Sequence, residues 1–129
     1  MLLYHEPAEA RVPSDEWRVF VFRGDEQLQS IELTQSCYLL GRDGVVCDIL
    51  VDHHSCSKQH AVIQFRQTNK RNKLGDVDAR TKPYIIDLKS SSGTYLNGEK
   101  VTSRRYLELR SKDTLQFGDA SREYVLVCA

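Results

Sequence analysis

CYLLGRDGVVCDILVDHHSCSKQHAVIQF, Cys37 to Phe65, is built of short apolar runs, Tyr38 to Leu40, Ile49 to Val51 and Ala61 to Phe65, separated by polar turns. The runs have strand length, and apolar residues at helical spacing do not extend over the ten or more positions a helix needs. Working outward, the same cadence recurs at Trp17 to Phe22, Leu28 to Leu33, Tyr84 to Ile86, Thr94 to Leu96, Tyr106 to Leu109, Thr114 to Phe117 and Tyr124 to Val127, between clusters of Gly, Asp, Asn and Ser. Many short strands at such spacing predict an all-β domain, an antiparallel sandwich or barrel. Asn97-Gly98 is the strongest hairpin signal, because both residues tolerate the positive φ of a tight turn.

Two segments break the cadence. Residues 1–16, with Pro7 and Pro13, show neither apolar periodicity and are expected to form an extended N-terminal arm ahead of a domain spanning 17–129. The polar stretch between Phe65 and Pro83 is too long for a tight turn and predicts a mobile connection between two strands. Its Lys70, Arg71 and Lys73 are expected to be a solvated charged loop.

Composition narrows the function. The chain has 129 residues, enough for one domain with its own core, and 28% charged and 40% hydrophobic residues, which predicts neither disorder nor a membrane span. Eighteen basic residues balance eighteen acidic ones, so no global field attracts a polyanion and any anion recognition must be local. Direct nucleic-acid binding is therefore not expected. Cys37, Cys47, Cys56 and Cys128 lack a paired spacing and read as reduced thiols of cytosol or nucleus. Glu6, Glu9 and Arg11 follow Met1-Leu2-Leu3 too closely for a secretion signal.

The polar turns carry the chemistry. Gly41-Arg42 supplies a planar fork of donors, while Ser57-Lys58-Gln59-His60 adds a hydroxyl and an ammonium. A third turn, Ser90-Ser91-Ser92-Gly93-Thr94, can join them, because the loops at one end of a sandwich cluster. A phosphorylated side chain, carrying a charge of about −1.5 to −2 near neutral pH, suits such a cluster.

The order G-R, S-x-x-H, D-L-x-S-x-x-G-T-x-x-N-G, at Gly41-Arg42, Ser57 to His60 and Asp87 to Gly98, resembles the forkhead-associated family over roughly Trp17 to Val127. Tyr38-Leu-Leu-Gly-Arg, Ser55-Cys-Ser-Lys-Gln-His-Ala-Val, Lys82-Pro-Tyr-Ile-Ile-Asp-Leu and Ser121-Arg-Glu-Tyr-Val-Leu are similar to the branch holding Smad nuclear-interacting protein, plant DAWDLE and yeast pre-mRNA leakage protein. So is the arm, Tyr4 to Arg11. The resemblance implies an eleven-stranded sandwich, monomeric and non-catalytic, without cofactor, whose loops bind a phosphothreonine peptide in a nuclear pre-mRNA splicing and retention protein. By motif position Arg42 would hold the phosphate, Ser57 would bond an oxygen of it, Lys58 would lie alongside, and Ser91 and Ser92 would meet phosphate and peptide backbone. Gly41, His60, Gly93 and Thr94 would shape the loops, and Asn97 and Gly98 the hairpin. Tyr4, Glu6 and Pro7 of the arm would engage an RNA-recognition-motif protein of the retention-and-splicing complex. Two positions depart from the pattern: Ser92 stands where the family most often has Asn, and Asp43 sets a negative charge beside Arg42.

Three competing readings rest on the same residues. A phosphate-free scaffold would keep the fold and lose the binding. Asp52, His53, His54, Cys56 and His60 crowd metal-ligand types into nine residues, but without the paired spacing of structural zinc sites. Cys56 with His60 lacks a third group to orient a nucleophile.

Overall fold

A computed structural model describes residues 2–71 and 73–129. Eleven strands follow in order: β1 (Trp17–Arg23), β2 (Glu26–Leu33), β3 (Cys37–Gly41), β4 (Ile49–Leu50), β5 (Ala61–Arg71), β6 (Val77–Asp87), β7 (Thr94–Leu96), β8 (Glu99–Lys100), β9 (Leu107–Glu108), β10 (Thr114–Phe117) and β11 (Arg122–Cys128). They form two sheets, ordered β2-β1-β11-β10-β7-β8 and β4-β3-β5-β6-β9. The expected all-β sandwich is thus present, and β3 pairs in parallel with the short β4.

Period-two alternation sorts the side chains. In β1, Trp17, Val19 and Val21 are buried while Arg18 is exposed; in β11, Tyr124 and Leu126 are buried. These face Leu40, Ile63, Phe65 and Ile85 of the other sheet across one core, with Leu115 and Phe117 from β10. Full burial of each large side chain contributes about 1.5–3 kcal/mol relative to exposure. Phe117 packs edge-on against Tyr124 at 5.1 Å and against His60 at 5.7 Å, so the core continues up to the loop end.

The polar segment after Phe65 departs from expectation. It is no loose connection: β5 and β6 pair without interruption from Ala61↔Asp87 to Arg71↔Val77, and only the tip between them turns. Beyond the core both faces of this ribbon meet solvent, so its sequence lost the apolar alternation by which strands are recognised.

The arm lies on the domain. β3 accompanies β5 only as far as Gln64, and the arm takes the vacated edge, with an antiparallel bridge Ala10↔Arg66 and bonds from Arg11 N to Phe65 O (3.2 Å) and Gln67 N to Glu9 O (2.9 Å). These bonds satisfy edge groups that would otherwise be left to solvent. Tyr4 then covers a smaller apolar cluster on the outer face, Leu39, Val62, Ile86 and Leu88.

Candidate functional site

Three loops converge at one end, and backbone bonds fasten the first two together. Arg42 N and Asp43 N donate to the carbonyls of Ser57 and Lys58, both at 3.1 Å. This apposition needs a glycine at position 41, where a Cβ would stand 2.2 Å from the Lys58 oxygen. The Arg42 side chain is exposed, yet its Nε donates to the Cys56 carbonyl at 3.1 Å, which aims the guanidinium while leaving its other N–H groups for a ligand.

Beside it, Ser57 Oγ accepts the Ser91 N–H at 3.1 Å and stands 3.4 Å from Ser91 Oγ. Each hydroxyl keeps a rotatable proton, so an anion here would meet guanidinium and hydroxyl donors together. Lys58 is exposed on the same turn, its carbonyl taken by Asp43 N and Cys47 Sγ.

His60 is the fastening behind this surface. It is fully buried, and its Nδ1 receives the Ser57 N–H at 3.0 Å. A backbone N–H only donates, so Nδ1 accepts and the proton resides on Nε2, which donates to the Gly93 carbonyl at 2.8 Å. Burial holds the His60 pKa below its ordinary value, against the opposing pull of the Gly93 carbonyl and Asp87.

Asp87, in the sequence only the first position of the third motif, secures the third loop. It is buried, and its carboxylate accepts from the hydroxyls of Ser90 (2.6 Å), Thr94 (2.7 Å) and Ser103 (2.9 Å) and from the Ser90 N–H (3.1 Å). Burial pulls its pKa up, but the donated bonds outweigh that and hold it below the usual carboxylate value. Ser90 Oγ also receives the Gly93 N–H, and Gly93 sits at φ +88°, which a side chain rarely tolerates.

The two departures from the family pattern have definite geometries. Asp43 turns its carboxylate onto the Val45 N–H at 3.0 Å, within its own loop. No carboxylate lies within ion-pair distance of Arg42 among the described residues. Ser92 Oγ donates to the Ser55 carbonyl at 2.5 Å and so ties the third loop to the second.

Asn97 and Gly98 lie at positive φ between β7 and β8. The Asn97 amide spans Asp113 Oδ1 and Thr114 N, which ties this hairpin to the start of β10. In the arm, Tyr4 donates its hydroxyl to Gln64 at 2.8 Å and lies 2.7 Å from the Tyr106 hydroxyl, while Glu6 accepts from Ser36 and Gln64. The Pro7 carbonyl closes a turn to Ala10 N.

The metal-ligand types are dispersed to other tasks. Cys56 Sγ donates to the Phe117 carbonyl, His53 stacks on His54, and His60 has both nitrogens engaged. No group of three or more His, Cys, Asp or Glu that could hold a metal exists among the described residues. The roles of the Cys56 and Ser55 carbonyls were invisible beforehand, since every residue carries a carbonyl and only the fold selects which one is used.

Comparison with known proteins agrees with this architecture. The FHA domain model matches residues 38–118. Smad nuclear-interacting protein 1 of Mus musculus is 50% identical over 128 residues, covering 98% of this chain and 33% of that protein. The FHA domain-containing protein DDL of Arabidopsis thaliana is 50% identical over 128 residues, covering 98% and 41%. The chain therefore spans well under half the length of either relative. The solved structure of the yeast Pml1 splicing factor, described with its integration into the RES complex, superposes with a TM-score of 0.81 at 31% identity, covering 98% of this chain and 97% of that one. The chain belongs to the forkhead-associated (FHA) domain family, with the Smad nuclear-interacting, DDL and Pml1 proteins as homologues.

Proposed function

We propose that the domain is a non-catalytic reader of phosphothreonine peptides within a nuclear RNA-processing protein. The observation that carries this is the Arg42 guanidinium, aimed by the Cys56 carbonyl and free of carboxylates, beside the Ser57 and Ser91 hydroxyls. A phosphoryl group would accept from Arg42 and Ser57, with Ser91 and the mobile Lys58 ammonium completing its neutralisation. Ser92, through Ser55, would keep the third loop in place for the flanking peptide.

Removing one partner of a hydrogen-bonded charge pair costs about 2–5 kcal/mol. Arg42→Ala is therefore expected to abolish most binding in calorimetric titrations with a phosphothreonine peptide selected from an oriented library. Identical curves for wild type and Arg42→Ala would leave the scaffold reading, in which Arg42 serves only the Cys56 carbonyl.

The names of the relatives support a nuclear setting and an assembly role. We assign to the arm the contact with an RNA-recognition-motif protein. Its Tyr4 and Glu6 are engaged on the domain, so that contact would use the exposed Leu2, Leu3 and His5 or require the arm to lift. Loss of co-purification on deleting residues 1–16 is the expected result.

A further inference from the structure

The two edges of the β5–β6 ribbon have unequal fates. On the β5 side, where β3 stops, the arm takes its place through Arg11 N and Gln67 N. On the β6 side, β9 stops once Leu109 N has bonded the Pro83 carbonyl at 2.9 Å, and no strand replaces it among the described residues. Pro83 has no N–H to return to Leu109, so the ladder breaks at that register. The chain then turns away, with Arg110 N on the Asp113 carboxylate at 2.8 Å.

Backbone groups alternate sides along a strand. The Pro83 carbonyl faces β9, so the N–H and C=O groups of Thr81, Ala79 and Val77 face the same vacated edge. The Ala79 carbonyl meets the Gln67 amide at 3.4 Å, and no other bond to these groups exists on that edge among the described residues. The side chains are sorted as well. Pro83 opposes Phe65 of the core, so Thr81, Ala79 and Val77 lie on the inward side and carry no charge, while Arg80 and Lys82 lie on the outer side with Tyr84. Thr81 also lines a cleft of about 260 Å³ together with Trp17, Leu109 and Cys128. The charged part of that lining, three basic groups against Asp15 and Glu108, is close to balanced, so the cleft contributes contact more than sign.

The sign comes from the ribbon. Residues 66–82 hold Arg66, Lys70, Arg71, Lys73, Arg80 and Lys82 against Asp76 and Asp78, in a chain whose total charge is zero. Glu9 pairs with Arg66 and Glu108 with Lys82, and the four remaining basic residues still outnumber the two acidic ones. Basic residues along an open edge discourage pairing with another basic strand and favour an acidic one. No aromatic residue stands on the ribbon for a nucleic-acid base to stack on. β9 displays the pattern that this edge accepts: Leu109 enters the core, and Glu108 reaches Lys82 at 3.6 Å on the outer side.

We propose that the open edge of β6 at Val77, Ala79 and Thr81 takes up an extended acidic segment of a protein partner, as an antiparallel strand added beyond the end of β9. Main-chain bonds supply the affinity and alternate side chains the selection. Carboxylates of the segment face Arg80 and Lys82, and uncharged β-branched side chains face inward toward the cleft. From Thr81 to Asp87 is about 20 Å of strand, so this surface is separate from the proposed phosphate site.

The probe is an eight-residue peptide alternating Glu and Val, blocked at both ends and titrated to about 1 mM into the full chain while amide signals are followed by NMR. The Ala79 and Thr81 amides should shift and exchange more slowly, in wild type and in Arg42→Ala alike. Two control peptides, one with Lys in place of Glu and one N-methylated at the valines, whose N–H groups face β6, should bind at least about tenfold more weakly, the factor expected of one or two main-chain bonds. Ala79→Pro removes an N–H that points away from β5, so it should weaken the acidic peptide by a similar factor and keep the urea midpoint. Unmoved Ala79 and Thr81 signals, equal binding of either control peptide, or full binding by a folded Ala79→Pro protein overturns the proposal. An eight-nucleotide oligouridine that moves these signals where the acidic peptide does not would assign the surface to nucleic acid and overturn it. Protection of the same amides that grows with protein concentration alone would assign the edge to a second copy of the chain, with the same consequence.

Discussion

His60 shows how one residue can couple the proposed phosphate site to the fold. Its neutral Nε2–H tautomer holds Gly93, while its Nδ1 holds the Ser57 N–H. Protonation would put a hydrogen on Nδ1 and break the second bond. Its pKa is lowered by burial, so between the ordinary histidine value of about 6.5 and the lower folded value the unfolded chain binds the extra proton. Stability from His60 is therefore complete above about pH 6.5 and declines as the pH falls toward the folded pKa, by at most about 1.4 kcal/mol per pH unit. Urea unfolding at a series of pH values should show this slope, and NMR should place the His60 ring titration below 6.5. A ring titrating at or above the ordinary value would remove the coupling. That the turns of Arg42, Ser57 and His60 meet was legible in the sequence because they occur in a recognisable order between strands. Their partners were not, since the Cys56 and Gly93 carbonyls belong to the backbone.

Among the elements, the arm and the β5–β6 ribbon were the hardest to read, for a shared reason. Neither the arm nor the part of the ribbon beyond Phe65 and Pro83 contributes to the main core, so neither carries the apolar alternation that announces a strand. That part of the ribbon is instead held by pairing along six registers, from Arg66↔Lys82 to Arg71↔Val77. The arm is held by edge bonds and by side chains: Arg66 bonds Glu9 at 2.7 Å and stacks on Tyr84 and Tyr106, 4.7 and 4.2 Å from the ring centres. Deleting residues 1–16 should uncover Leu39, Val62 and Ile86 and remove the Tyr4 bonds to Gln64 and Tyr106. The expected loss is on the order of 2–4 kcal/mol, from lost apolar burial and hydrogen bonds of about 1 kcal/mol each. It would appear as a lower urea midpoint with the β-sheet spectrum retained. An unchanged midpoint would show that the arm contributes nothing net and that the folded unit starts at Trp17. The strands of the core were readable almost to their ends, because there burial enforces alternation.

At the scale of the whole molecule, the proposed phosphate site belongs to both sheets. Arg42 and Ser57 extend from the five-stranded sheet, whereas Ser91 and Ser92 lie on the crossing from β6 in that sheet to β7 in the other. His60 packs on Phe117 of the six-stranded sheet and bonds Gly93, so the site cannot form unless the two layers are closed on each other. A ligand held there is bound only by the fully folded state. Phosphopeptide at about 100 times its Kd should then raise the unfolding free energy by about 2.7 kcal/mol. Amide exchange should slow not only in the loops but also at Val19, Ile63 and Leu126, which open only when the core does. Arg42→Ala, whose side chain lies outside the core, should keep the ligand-free stability and lose the increment. Protection confined to residues 55–60 and 90–94 would mean that the loops order independently of the sandwich, and the coupling through His60 would have to be abandoned.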